Sequence, residues 1–198
     1  MRSYTDSLER ILGKLGDPAV LVGHSFGGAV VSQVSELRPE AVSLAVYVCA
    51  FLLRDGQSVW RHGFPSPRAP VRGVLVPENL IVDEAAGTLD LRREVVGEGL
   101  YHDCPDEDRD LALARWAPEP LAPLRTTLAL TGERFGRVPR AYVFCEADRV
   151  LPIESQKRMS RLTPCSSVFN LASGHSPFFS MPDELARILD SLGARRRG

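Results

Sequence analysis

Tyr4, Leu8, Ile11, Leu12 and Leu15 recur at helical spacing behind Ser3, a candidate N-cap, and Gly16-Asp17-Pro18 ends the pattern. The chain is therefore predicted to open with an amphipathic helix. Ala19-Val20-Leu21-Val22 is a short unbroken apolar run, the pattern of a strand buried on both faces of a parallel sheet, and Gly27 to Leu37 returns to helical spacing. Val42 to Ala50, Ala141 to Cys145 and Ser167 to Leu171 are apolar or β-branched and predict three further strands. Helices are predicted at Glu154 to Leu162 and from Pro182 through Leu185, Ile188, Leu189 and Leu192 to the terminator Gly193. Alternating strands and helices predict the α/β class with a parallel, doubly wound sheet.

Residues 53–136, between the second and third strands, are rich in Pro, Gly and charge and too long for a plain crossover. Helical stretches are predicted there around Asp83 to Ala86 and Asp106 to Trp116. An insertion at this place lies over the carboxyl ends of the strands, where open α/β sheets bind ligands. It reads as a helical cap on a core formed by residues 1–52 and 137–198.

Composition narrows the partners. With 198 residues and 44% hydrophobic content the chain can bury the core of one domain. Lys and Arg number 24 against 25 Asp and Glu, so there is no large field to recruit nucleic acid or an anionic membrane, and a small-molecule partner is expected. Met1-Arg2-Ser3-Tyr4-Thr5-Asp6 carries no apolar signal-peptide core and no run is long enough to span a bilayer, so a cytoplasmic protein is expected. Cys49, Cys104, Cys145 and Cys165 are scattered and read as reduced thiols; Arg195-Arg196-Arg197 reads as a solvated terminus.

Gly23-His24-Ser25-Phe26-Gly27 fits the G-x-S-x-G nucleophile elbow, with an apolar strand before it and a helix after it. A serine hydroxyl becomes a good nucleophile only when a base takes its proton, and the base needs a third group to fix its tautomer. The third strand ends in Cys145-Glu146-Ala147-Asp148 and the fourth runs into Ser173-Gly174-His175-Ser176-Pro177. The order Ser25, Asp148, His175 is that of α/β-hydrolases, with Glu146 as the competing acid. Phe26 N–H is the expected oxyanion donor, and His24, Phe51 and Ser176 are expected to line the substrate pocket.

No metal or cofactor is expected. Asp106, Asp108 and Asp110 alternate as in a calcium loop, but Leu111 and Ala117 stand where that loop needs glycine and glutamate, so they read as a solvated helix face. His102-Asp103-Cys104 offers ligand types, yet three consecutive residues do not readily converge on one ion. His62 reads as exposed on the cap.

Leu21-Val22-Gly23-His24-Ser25-Phe26-Gly27-Gly28, Tyr47-Val48-Cys49-Ala50-Phe51, Tyr101-His102-Asp103-Cys104 and Gly174-His175-Ser176-Pro177-Phe178-Phe179 together resemble the methylesterase and hydroxynitrile-lyase branch of the α/β-hydrolases, including its bacterial esterases. The resemblance implies a serine hydrolase that cleaves small or medium, largely apolar carboxylic esters, and it maps the catalytic triad onto Ser25, Asp148 and His175. In the cyanohydrin lyases of the branch a lysine follows the histidine, whereas Ser176 stands here, which disfavours lyase chemistry. The alternatives are a catalytically impaired binding or assembly subunit and a non-hydrolytic biosynthetic enzyme using the same triad.

Members of this branch begin with several strands and a His-Gly loop upstream of the elbow, whereas Met1 here falls just before the helix that precedes the elbow strand. The resemblance thus implies an N-terminally truncated fold whose oxyanion hole keeps only the Phe26 donor, a loss worth roughly 10² to 10³ in rate. It also implies an elbow strand with one open edge, to be covered by an upstream segment or by a second copy of the chain.

Overall fold

The computed structural model describes residues 1–63 and 74–194; Arg195-Arg196-Arg197 lie outside them. In chain order the elements are α1 Arg2–Leu15, β1 Ala19–His24, α2 Gly27–Leu37, β2 Val42–Val48, α3 Val59–Gly63, β3 Leu80–Asp83, β4 Thr88–Leu91, α4 Arg93–Leu100, α5 Asp106–Ala114, β5 Glu119–Pro120, α6 Leu121–Arg125, β6 Arg140–Cys145, α7 Ile153–Leu162, β7 Ser167–Leu171, α8 Pro177–Ser180 and α9 Pro182–Ala194. Among the described residues the main sheet has the order β1-β2-β6-β7, and every pairing in it is parallel.

Strand alternation divides the core. Ala45, Tyr47, Tyr142 and Phe144 point to the face covered by α2 and α7, packing with Val30, Val34 and Met159. Leu44, Val46, Val48, Ala141 and Val143 point to the other face, against Leu185 and Leu192 of α9. Helices thus cover both faces, which is why the strands read as continuous apolar runs rather than alternating ones. Because the strands are parallel, the residues that follow β1, β6 and β7 emerge at one end of the sheet: Ser25, Asp148 and His175.

The differences from the sequence reading are local. Ser3 is not the cap of α1, which starts at Arg2 behind Met1 without a side-chain cap. Only part of its apolar stripe is buried, since Leu12 is inside while Ile11 and Leu15 are more than half exposed. The second strand ends at Val48 because Cys49 turns to φ 33°, which no strand continues. Asp83 to Ala86 is no helix: Asp83 ends β3, and residues 84–87 form the turn into β4. The segment between β2 and β6 therefore holds a three-stranded antiparallel sheet, β3-β4-β5, beside its helices. Two-residue and four-residue strands are too short to show a period.

β1 is an edge strand of the described sheet, with Val22 47% exposed. Among the described residues no helix is long and apolar enough to cross a membrane.

Candidate active site

The chain leaves β1 and turns at once into α2, and Ser25 at that turn takes φ 52°. A side chain in the left-handed region costs roughly 1–2 kcal/mol, so the surroundings must hold it. They do so through the Ser25 carbonyl, which accepts the Phe51 and Gly28 N–H groups at 3.0 and 3.1 Å, while Ser25 N–H donates to Val48. Two glycines make room. A Cβ on Gly23 would stand 2.7 Å from the Gly27 carbonyl oxygen, and one on Gly28 would stand 2.8 Å from both Ala50 Cβ and the Phe51 carbonyl oxygen. Gly27 meets nothing within 4 Å, so the second glycine of the motif is not the one that sterics require.

His175 Nδ1 donates to Asp148 Oδ2 at 2.8 Å, and its Nε2 lies 3.0 Å from Ser25 Oγ. A carboxylate only accepts, so Nδ1 carries the proton and Nε2 is left as the acceptor facing the serine. The His175 and Asp148 side chains are 1% and 0% exposed. Asp148 is fixed in turn: Oδ1 accepts the Val150 and Leu151 N–H groups at 2.7 and 2.9 Å. Glu146 is exposed and makes no contact with His175, so it is Asp148 that the fold brings to the imidazole.

Two further side chains shape this unit. Gln156 of α7 is fully buried; it exchanges two hydrogen bonds with the Cys145 backbone at 3.1 Å each, donates to the Leu151 carbonyl at 2.7 Å and reaches Asp148 Oδ2 at 3.4 Å. It ties the strand end to the loop that carries the acid. His24 Nε2 donates to the His175 carbonyl at 2.6 Å, and Cys49 Sγ donates to the same oxygen at 3.4 Å. Desolvation and the neighbouring His175 lower the His24 pKa to about 3, so its ring is neutral at ordinary pH. Burial beside Cys145 holds the Cys49 thiol well above its ordinary range. Neither Gln156 nor Cys49 was among the residues predicted; a polar side chain at helical spacing and a lone cysteine carry no chemical pattern of their own.

Above Ser25 lies a cavity of about 330 Å³, lined mainly by apolar side chains. Ser25, Phe26, Gly27 and Phe51 form its floor, and Leu75, Leu89, Trp116 and Val150 enclose it from the inserted segment and the Asp148 loop. Asp90 and Glu119 also reach it, Asp90 accepting the Trp116 indole N–H at 2.6 Å. Of the pocket residues predicted, His24 and Phe51 line the cavity and Ser176 does not: it is 1% exposed, and its carbonyl faces Cys104. Phe26 precedes the first residue of α2, where helix N–H groups lack intrahelical acceptors.

His24, Cys49 and His175 bring ligand-type atoms within 4.8 Å of one another. The protonated Cys49 thiol, and the commitment of His24 Nε2 and both His175 nitrogens to hydrogen bonds, oppose a metal at that point. Asp106, Asp108 and Asp110 belong to the helix α5, not to a loop that could wrap an ion, and His62 is exposed at the end of α3.

The alpha/beta hydrolase family profile matches residues 2–188. The chain belongs to the α/β-hydrolase family. This α/β-hydrolase is 31% identical over 194 residues to a pyrethroid hydrolase of Sphingobium wenxiniae, covering 96% of this chain and 68% of that protein. It is 34% identical over 186 residues to methylesterase 17 of Arabidopsis thaliana, covering 87% of this chain and 65% of that protein. Among solved structures, a pyrethroid hydrolase from Sphingobium faniae superposes with a TM-score of 0.81 at 30% identity, covering 95% of this chain and 75% of that one. Polyneuridine aldehyde esterase shares the fold, with a TM-score of 0.80 at 24% identity over 97% of this chain and 79% of that one. The α/β-hydrolase chain spans about half the length of several curated relatives it matches, 49% of one Arabidopsis thaliana protein and 56% of another.

Proposed function

We propose that this α/β-hydrolase is a carboxylic-ester hydrolase in which Ser25 is the nucleophile, His175 the base and Asp148 the group that orients it. The observation that carries the reading is the unbroken hydrogen-bonded line from Ser25 Oγ through His175 to Asp148 at the floor of an apolar cavity. Ser25 Oγ attacks the ester carbonyl carbon as its proton passes to His175 Nε2, and the resulting imidazolium is stabilised by Asp148 Oδ2. Phe26 N–H donates to the oxyanion at the start of α2. Collapse of the tetrahedral intermediate expels the alcohol, which takes the proton from His175, and water then frees the acid from Ser25 by the same steps.

The cavity supports small or medium esters with largely apolar flanks, because few polar groups besides the reacting ones line it. Its relatives named as methylesterase and pyrethroid hydrolase agree with ester cleavage. Hydrolysis of nitrophenyl esters of increasing acyl length tests the reading. Turnover by the wild-type chain that disappears in a folded Ser25→Ala variant is expected; equal turnover in both would overturn it.

A further inference from the structure

The His102-Asp103-Cys104 triplet lies in the turn between α4 and α5 directly against the loop that bears His175. Asp103 Oδ2 accepts the Gly174 N–H at 2.5 Å, and Cys104 Sγ donates to the Ser176 carbonyl at 3.8 Å. The fit is tight: a Cβ on Gly174 would overlap Asp103 Oδ1 and stand 2.5 Å from His102 Cε1. His102 Nδ1 is buried without a hydrogen-bond partner, so His102 contributes packing there. Just beyond, the Tyr101 and Phe179 rings meet at 6.2 Å.

Three successive residues of the base loop are thus held by side chains. The Gly174 N–H is held by Asp103, the His175 carbonyl by His24 and Cys49, and the Ser176 carbonyl by Cys104. The anchors on His175 come from the ends of β1 and β2, which the sheet fixes. Those on either side come from the inserted segment, which also encloses the cavity.

We propose that Asp103 is a positioning residue for His175, so that the seating of the inserted segment over the cavity also sets the base in line with Ser25. This rests on the ester-hydrolase reading above. A base displaced by about 1 Å can cost on the order of 10² in rate, so one backbone anchor beside His175 has leverage on turnover.

The test compares Asp103→Ala, Asp103→Asn, Gly174→Ala and the Asp103→Ala/Gly174→Ala double variant on one nitrophenyl ester, each well below its own unfolding temperature. Asp103→Ala should lower kcat about tenfold or more with KM changed less than about threefold, the signature of lost transition-state alignment rather than lost binding. Asp103→Asn keeps an oxygen acceptor for the Gly174 N–H and should retain kcat within about threefold. Gly174→Ala breaks the same contact from the other side, so its loss and that of Asp103→Ala should not add in the double variant. An unchanged kcat in Asp103→Ala, a loss confined to KM, a kcat in Asp103→Asn as low as in Asp103→Ala, or fully additive losses would overturn the proposal. If Asp103→Ala does not fold, an unchanged kcat in Gly174→Ala overturns it, and a lowered kcat at constant KM supports it. A wild-type chain without Ser25-dependent turnover overturns the hydrolase reading and this one together; an active wild type with indifferent variants overturns this one alone.

Discussion

His24 Nε2 stands 2.6 Å from the carbonyl oxygen of His175, so the residue preceding Ser25 in the elbow supports the backbone of His175. The turn that carries Ser25 and the loop that carries His175 are thereby joined by a direct bond, independent of the Ser25 hydroxyl. The bond requires a proton on His24 Nε2 and is compatible with a neutral ring, which the lowered pKa ensures.

That shift has a consequence for stability. The folded-state pKa of His24 is about 3 against 6.5 when unfolded, so between those values the unfolded chain binds the extra proton. Stability should therefore be fully retained above pH 6.5 and be lost progressively as the pH falls toward 3. Urea denaturation at a series of pH values should show a shallower acid slope for His24→Gln than for wild type. Equal slopes would show that His24 is not held neutral by the fold.

The elbow glycines should separate by position. Gly23→Ala forces backbone against backbone and is expected to cost about 2 kcal/mol or more, or to prevent folding, whereas Gly27→Ala meets open space and should stay within about 1 kcal/mol of wild type. Thermal or denaturant unfolding of the two variants is sufficient, and similar losses would contradict the steric assignment.

Gln156→Leu removes four hydrogen bonds from the junction of β6 and the Asp148 loop, leaving the Cys145 N–H and the Leu151 carbonyl without that partner in a buried place. Unsatisfied buried groups cost about 1–3 kcal/mol each, so a loss of about 2 kcal/mol or more in unfolding free energy is expected, together with reduced kcat as Asp148 loosens. A variant as stable and as active as wild type would remove Gln156 from the account.

The two acids of the Cys145 to Asp148 segment differ in what they face, and substitution should show it. Asp148→Asn leaves an amide that favours the wrong imidazole tautomer, with an expected fall in kcat of about 10⁴-fold, by analogy with the same change in a serine protease triad. Glu146→Gln, at an exposed site, should leave kcat within about twofold. Comparable losses in both would leave the identity of the orienting acid open to revision.

The sheet was legible because its central strands β2 and β6 are buried on both faces and read as apolar runs, and because Ser25, Asp148 and His175 each come shortly after the end of a strand. Ser25 lies more than a hundred residues before Asp148 and His175, yet a parallel sheet delivers all three to one end. Within the inserted segment the helix α5 was legible, from the predicted stretch Asp106 to Trp116, but the small sheet was not. Its strands β3, β4 and β5 are two to four residues long, and Asp83-Glu84-Ala85-Ala86, across the end of β3 and the turn, has the acid-then-alanine composition of a helix start. Ser176 was placed in the pocket by its neighbour in sequence, but the backbone after His175 turns it inward, where Cys104 covers its carbonyl. Gln156 acts through backbone groups of Cys145 and Leu151 that only the turn after β6 brings to it, and Asp103 through the Gly174 N–H 71 residues away, pairings that only the folded chain displays.

Covalent labelling of Ser25 by a fluorophosphonate probe, followed by mass spectrometry of the peptide that contains it, tests the central claim most directly. The probe requires a serine activated by its base and reports on Ser25 without any assumption about the natural ester. Stoichiometric modification at Ser25 is expected, absent in Ser25→Ala and slowed about a hundredfold or more in His175→Ala. A folded wild-type chain left unmodified at Ser25, or labelled as fast without His175, would contradict the account.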